Sequence, residues 1–378
     1  MHVAIITTSY PDDVPGSEAA GSFVADFALQ LAMQVQVTVI AAASAASQSR
    51  DGNLSVIRFA VPRSPLSLLR PFDPRDWSAI VRTICNGNRA LETFVQDGSP
   101  DYLFALWTLP SGYWAASVGR QYNIPFGIWA LGSDIWSLGR MPLLRGMLRR
   151  VLRAADRCFA DGLELADDVE QLSGRTCQFL ASTRKLPQPA RVSKAETAPY
   201  KLAFLGRWHP NKGVDILLDA LRQLSDEDWS RISLVRIFGG GPLQEEVHGA
   251  AAGLQEQNRA VEVGGYLDKQ RAADLIAWAD YLILPSRIES IPVIFSDAMQ
   301  LRTPIVATPV GDLPRLHDKY HFGVLAKAAS ADDLATALRE ALLGNAAGFR
   351  SGLEAAAADF DIRDVATRFL DDIGGSGT

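Results

Sequence analysis

Short apolar runs alternate with helix-length amphipathic runs along most of the chain. "VAIITT", "QVTVI", "SVIRFA", "DYLFALW", "PFGIWA" and "RCFA" read as strands of the first half. Runs so apolar, without polar alternation, suit strands buried on both faces. Between them a helical period predicts helices over roughly 21–33, 76–96, 111–121, 142–154 and 162–172. The rhythm breaks at "LPQPARVSKAETAP" (186–199), whose three prolines and mixed polar residues mark a linker. It restarts with "YKLAFLG", "ISLVRIFG", "VEVGG", "YLILP" and "PIVAT", each followed by a helical run. Strand–helix alternation of this kind builds parallel sheets covered by helices. The fold class it predicts is α/β, with two doubly wound Rossmann-like domains facing across a cleft. The expected divisions are 1–185, a linker at 186–199, 200–358, and a last helix at 359–378 free to pack back on the first domain.

A length of 378 residues suits two domains of ordinary size. A net charge of −6 argues against a general nucleic-acid binder, so none is expected as a partner. Cys85, Cys158 and Cys177 have no metal-ligand spacing and cannot all pair, which fits a reducing compartment. The opening "MHVAIITTSYPDD" has no basic leader and reads as a first strand, so a cytoplasmic location is expected. Residues 27–49 and 102–119 are uncharged, yet glutamines and serines interrupt the first, and Pro110, Ser111 and Gly112 the second. Neither supplies the ~20 predominantly apolar residues of a membrane span.

Five stretches could carry chemistry. In "LAFLGRWHPNKGVDILLDAL" (202–221) a strand ends before Arg207, and a helix is expected from Pro210–Asn211. That puts Lys212 in the first turn, where the helix dipole disfavours a cation unless an anion shares the site. The pair is either a phosphate clamp or two solvated cations. "RIFGGGPLQEEV" (236–247) runs a strand into three glycines before Pro242, the expected opening of a helix. Gly240 and Gly241 would allow close approach of a ligand, or simply make a tight turn.

The third stretch, "LPSRIESIPVIFSDAMQLRTPIVATPVGDLP" (284–314), raises the question of two carboxylates in apolar company. With a helix expected from about Ile291, Glu289 and Asp297 would lie roughly 12 Å apart if both sat along one helix axis. Val293 and Ile294 could offer free amides between them, which Pro292 cannot. The carboxylates are either solvated or ligands for something polar. In "PGSEAAGSFVADFALQLA" (15–32) a loop from Gly16 to Gly21 opens a helix, with Ser22 as cap or the loop amides facing a diphosphate. In "ALGSDIWSLGRMPLLRGMLRRVLRAADR" (130–157), Ser133 and Asp134 follow a strand on the side where an acceptor could bind. A helix carrying Arg145, Arg149, Arg150 and Arg153 comes next, either packed with a solvated face or lying on an anionic membrane.

In order and spacing, "GSFV", "WTLPSG", "GSDIW", "GRWHPNKGVDILLDAL", "GGGPL", "GYLD", "PSRIESIPVIFSDAM" and "TPIVATPVGDLP" resemble a retaining glycosyltransferase of the GT-B fold, close to glycosyltransferase family 4. The resemblance implies a nucleotide-diphosphate sugar as co-substrate, held mainly by the C-terminal domain, with no metal and no other cofactor. It assigns the diphosphate to Arg207 and Lys212, the transferred sugar to Glu289, and the ribose to Asp297. Gly16 to Gly21 would approach the diphosphate, and the segment after "GYLD", with Leu267, would meet the base. Ser290, Val293 and Ile294 complete the implied donor set, with Gly240 and Gly241. Two positions depart from the family pattern. Asp297 is a methylene shorter than the usual glutamate, and Leu131 stands where many members have histidine.

The implied catalytic set is Arg207, Lys212 and Glu289, with Arg207 and Lys212 stabilising the departing diphosphate. The implied partners are a nucleotide-sugar donor and an acceptor such as a cell-envelope glycan or a lipid-linked one. The Arg145–Arg153 helix adds an expected peripheral contact with the inner membrane face. Two other classes stay open on the sequence: a nucleotide-sugar epimerase of the same fold, separable by product analysis without acceptor, and a non-catalytic nucleotide-sugar binder.

Overall fold

Every residue of β1 (His2–Thr7) is buried, as a parallel strand covered on both faces requires. The structure is a computed structural model and describes residues 1–11, 21–63, 66, 73–189 and 194–375. It divides into two compact units, Met1–Arg184 with Ile362–Thr378, and Lys185–Asp361.

The strands of the first unit are β1, β2 (Gln36–Ala43), β3 (Ser47–Asp51), β4 (Leu54–Ala60), β5 (Tyr102–Leu106), β6 (Phe126–Ala130), β7 (Arg157–Ala160) and β8 (Cys177–Phe179). Its helices are α1 (Ser22–Ala32), α2 (Pro74–Gly98), α3 (Ser111–Tyr122), α4 (Ser133–Trp136), α5 (Pro142–Ala154) and α6 (Leu163–Ser173). In the second unit lie β9 (Tyr200–Arg207), β10 (Ile232–Gly240), β11 (Val261–Gly264), β12 (Tyr281–Leu284), β13 (Ile305–Ala307) and β14 (Gly323–Leu325). Its helices are α7 (Val214–Arg222), α8 (Asp226–Ser230), α9 (Gln244–Glu256), α10 (Lys269–Trp278), α11 (Val293–Gln300), α12 (Leu313–Tyr320), α13 (Ala331–Leu343) and α14 (Arg350–Asp359). The closing helix is α15 (Ile362–Gly374).

The first sheet has strand order β3-β4-β2-β1-β5-β6-β7-β8, parallel except for β3, which runs antiparallel to β4. One of its faces is covered by α2, α3, α5 and α6, whose Leu91, Trp114, Leu148 and Val169 join a single apolar cluster. Against the other face Phe27 of α1 and Phe369 of α15 meet Phe104 of β5, with ring centroids 6.0 and 4.2 Å from it. Burying an apolar side chain of this size contributes about 1.5–3 kcal/mol, which anchors α15 on the first unit. The second sheet is wholly parallel, in the order β11-β10-β9-β12-β13-β14. Both units are therefore doubly wound, as the alternation of the sequence predicts. Among the described residues no helix is long and apolar enough to cross a membrane.

Several local expectations are corrected. No strand is predicted between "QVTVI" and "SVIRFA", yet β3 lies there, exposed at every position and so without a hydrophobic trace. Ser22 does not cap α1: Gly21 is the N-cap, at φ 103°, without a side-chain hydrogen bond. Pro242 precedes α9 instead of opening it, and Leu243 is the N-cap. Strands β8 and β14 are too short to show a pattern of their own.

A candidate active site at the switch point of the second sheet

Strand order in the second sheet reverses between β9 and β12, so their carboxyl ends flank a crevice where doubly wound sheets bind ligands. Two loops leave these ends. After β9, His209 caps a 3₁₀ turn over Pro210–Lys212, and Gly213 follows at φ 69°. The α-helix starts only at Val214, so Lys212 ends the turn before it and is not in the first turn of α7. A left-handed Gly213 breaks helical continuity there, and an added Cβ on it would stand 1.8 Å from Pro285 O, so only glycine fits.

The Lys212 Nζ donates a hydrogen bond to Glu289 Oε1 in the loop after β12. Ser286 Oγ donates to the same oxygen at 3.4 Å. Glu289 is 14% exposed, while the Lys212 side chain is 39% exposed, so the carboxylate is largely withdrawn from water and the ammonium reaches it from the open side. The loop itself is pinned on both sides. Arg287 donates to both carboxylate oxygens of Asp215 on α7, at 2.9 and 2.5 Å, and to Pro210 O at 2.6 Å. Thr308 Oγ1, at the end of β13, donates to Ser286 O at 2.6 Å. Burial pushes the Asp215 carboxyl up, but the hydrogen bonds and charge of Arg287 outweigh it and hold it below the ordinary carboxylate range. A bidentate fork of this kind fixes orientation as well as distance.

Glu289 lies ahead of α11, so the two acids do not share one helix axis. Pro292 is the N-cap in extended conformation, and a residue preceding proline is pushed out of the helical region. Val293 and Ile294 then hold the first two helical positions, whose amides have no acceptor within the helix. Asp297 is a turn further on and fully buried. Ser290 Oγ is buried with no hydrogen-bond partner among the described residues.

Arg207 ends β9, exposed, and is the register partner of Gly240 on β10. Tyr266 Oη donates to Gly240 O at 2.8 Å, which brings the β11–α10 loop, including half-buried Leu267, beside the glycines. An added Cβ on Gly241 would stand 2.6 Å from Trp208 O, so the chain needs glycine to close this turn. Arg207, Lys212, Gly240, Gly241, Leu267, Glu289, Ser290, Val293 and Ile294 thus all lie at or after carboxyl ends of strands in one sheet. Ser286, Arg287, Asp215 and Thr308 were missed by sequence reasoning. Arg287 stands inside the quoted stretch, but nothing in its spacing reveals Asp215 as its partner.

In the first unit, Gly21 opens α1 beyond the end of β1, where a Cβ would meet Ser9 O at 2.7 Å. Gly16 lies outside the described residues. Asp134, in α4, is buried and accepts from the amides of Thr108 at 2.6 Å and Leu131 at 3.3 Å. Burial raises its pKa, with those hydrogen bonds opposing. Asp134 therefore ties the end of β6 to the loop after β5. Ser133 begins α4, and its side chain lies outside what the structure describes.

The family model of glycosyl transferases group 1 matches residues 199–343. TuaC of Bacillus subtilis (strain 168), assigned by name as a glycosyltransferase of teichuronic acid biosynthesis, is 27% identical over 298 residues, 73% of this chain and 71% of TuaC. A D-inositol 3-phosphate glycosyltransferase of Corynebacterium efficiens is 34% identical over 151 residues, 36% of this chain and 34% of that protein. Among solved structures, Anabaena Alr3699/HepE in complex with UDP and glucose superposes with a TM-score of 0.68 at 16% identity, covering 99% of this chain and 100% of that one. Fold, family match and relatives agree that the chain is a glycosyltransferase of the GT-B fold, resembling glycosyltransferase family 4.

Proposed function

We propose that the protein transfers a sugar from a nucleotide-diphosphate sugar to an acceptor hydroxyl with retention of anomeric configuration, without a metal. The observation that carries this reading is the Lys212–Glu289 pair at the switch point, with Arg207 at the end of the same strand β9 and the unpaired amides of α11 following Glu289 in the chain. In the reaction the bond from the anomeric carbon to the diphosphate oxygen breaks, and its electron pair leaves with the diphosphate. The acceptor oxygen forms the new bond on the same face, and its proton passes to the departing phosphate. Arg207 and Lys212 stabilise the growing negative charge, as preorganised cations do. Glu289 holds Lys212 in place before the donor arrives, then accepts hydrogen bonds from the hydroxyls of the transferred sugar. Asp297 holds the ribose, and Gly240, Gly241 and Leu267 line the nucleotide.

The Anabaena neighbour, solved with UDP and glucose, supports a UDP-sugar as the first donor to test. TuaC supports a cell-envelope glycan, or a lipid-linked precursor of one, as acceptor. The decisive experiment is calorimetric titration with UDP, GDP and ADP on wild type and Arg207→Ala, followed by product analysis with and without envelope glycan acceptors. One nucleotide should bind at micromolar concentration and be lost in the variant. Binding to none of them sinks the donor site. A changed sugar without acceptor would make the protein an epimerase.

A further inference from the structure

Two helices of the first unit present large apolar side chains to solvent in their N-terminal turns. Helices α2, α3 and α5 each join parallel strands of one sheet, so they run alongside one another on its face. Their relative heights follow from contacts with α3. Trp114 Nε1, in the first turn of α3, donates to Ile84 O of α2 at 2.9 Å. Gly112, in the same turn, faces Val151 of α5, whose Cγ1 would be 3.1 Å from an added Cβ. Counting back, Trp77 stands about 10 Å ahead of Ile84 and Leu143 about 12 Å ahead of Val151. Both helices therefore overhang the start of α3 by nearly the same length, as two prongs roughly 20 Å apart.

The prongs carry large apolar side chains outward. Trp77 is 56% exposed and Val81 60% on α2; Leu143 is 80% and Met147 36% on α5. Tyr113, in the first turn of α3, is exposed as well. Arginines flank these residues: exposed Arg75 and Arg82 on α2, and Arg145, Arg149 and Arg150 on α5, with Arg140 just before it. From Arg140 to Arg153 there are five arginines and no acidic residue. On α2 the acid of the first turn, Asp76, is buried against Arg63. The whole chain has a net charge of −6, so this positive face is a local concentration against the overall balance.

We propose that the N-terminal turns of α2 and α5 together seat the first unit on an anionic lipid bilayer. Trp77, Val81, Leu143 and Met147 enter the interfacial layer, and the arginines bind lipid phosphates. Exposed apolar residues with arginines beside them on the same helix end is the arrangement an interfacial helix needs, and an aromatic ring suits the headgroup level. Each arginine near an anionic surface adds to the attraction, which salt screens.

The test is co-sedimentation of the full chain with vesicles of mixed phosphatidylglycerol and phosphatidylcholine, against phosphatidylcholine alone. It needs neither donor nor turnover, so its result is independent of the proposed transfer reaction. Wild type should bind the anionic vesicles selectively and release in high salt. Trp77→Gln with Val81→Gln, and separately Leu143→Gln with Met147→Gln, should each weaken binding about tenfold or more, with circular dichroism unchanged. Loss through the α5 variant alone would overturn the two-pronged face. Equal binding to both vesicles, or none, would overturn the proposal altogether. So would dimerisation without lipid that the same variants abolish, or binding only to a soluble polyanion such as heparin.

Discussion

Lys212 and Glu289 lie on two different loops, yet the Lys212 ammonium donates directly to the Glu289 carboxylate at the switch point of the second sheet. The loop after β9 and the loop after β12 are thus joined by the two side chains most directly concerned with the proposed chemistry. A cation preset by a carboxylate does not have to be ordered when the donor binds. That lowers the reorganisation a transition state would otherwise demand.

Lys212→Ala should lower kcat by about 10²–10³, the range found when one preorganised electrostatic contact is removed. Glu289→Gln should cost a comparable factor, and the double variant should lose much less than the product of the two. The measurement is a double-mutant cycle on kcat/KM. Strict additivity would mean that the pair does not act as a unit.

The Arg287–Asp215 fork ties the Glu289 loop to α7. Arg287→Ala should raise the donor KM or lower kcat while costing only roughly 1 kcal/mol of stability, because the pair is partly solvated. Arg287→Lys should restore little, since an ammonium cannot form the fork. Kinetics alongside urea unfolding separate the two effects. A variant as active as wild type would show that the loop holds its shape without this clamp.

Two glycines set how closely the loops approach. An added Cβ at Gly213 would stand 1.8 Å from Pro285 O, and one at Gly311 would stand 2.2 Å from Glu289 O. Gly213→Ala and Gly311→Ala should each destabilise the second unit by about 2 kcal/mol or more, through left-handed strain and displacement of the neighbouring loop. Gly249→Ala, in α9 with nothing within 4 Å of the new carbon, should be neutral or stabilising. Thermal unfolding of the three variants compares them directly.

Lys194 links stability to pH. Its Nζ donates to Ala279 O at 3.1 Å and Thr303 Oγ1 at 2.5 Å. Burial drives its pKa from 10.5 down to about 8, with Asp280 opposing. Between those values the unfolded chain holds a proton that the folded chain has released. Unfolding then takes up a proton, so stability rises with pH across this window. Denaturant midpoints of wild type should rise from about pH 8 to about pH 10 relative to Lys194→Met, which lacks this titration. Parallel profiles would show that Lys194 keeps an ordinary pKa in the folded state.

By itself the sequence determined the doubly wound class, the strands of both sheet cores, and the loops that follow β9, β10 and β12. Continuous apolar runs identify buried parallel strands, and glycine or proline placed just after them marks the turns at the sheet's carboxyl edge. It also singled out Arg207, Lys212 and Glu289. What it could not determine was how those side chains meet. The pairing of Lys212 with Glu289, and of Arg287 with Asp215, depends on β9 and β12 becoming neighbours in the sheet. That adjacency comes from the crossover topology, and no local period records it. Edge strand β3 escaped for the opposite reason, since a fully exposed strand buries nothing and carries no hydrophobic signal. The common height of Trp77 and Leu143 likewise came only from packing, because α3 sets both helices through Ile84 and Val151.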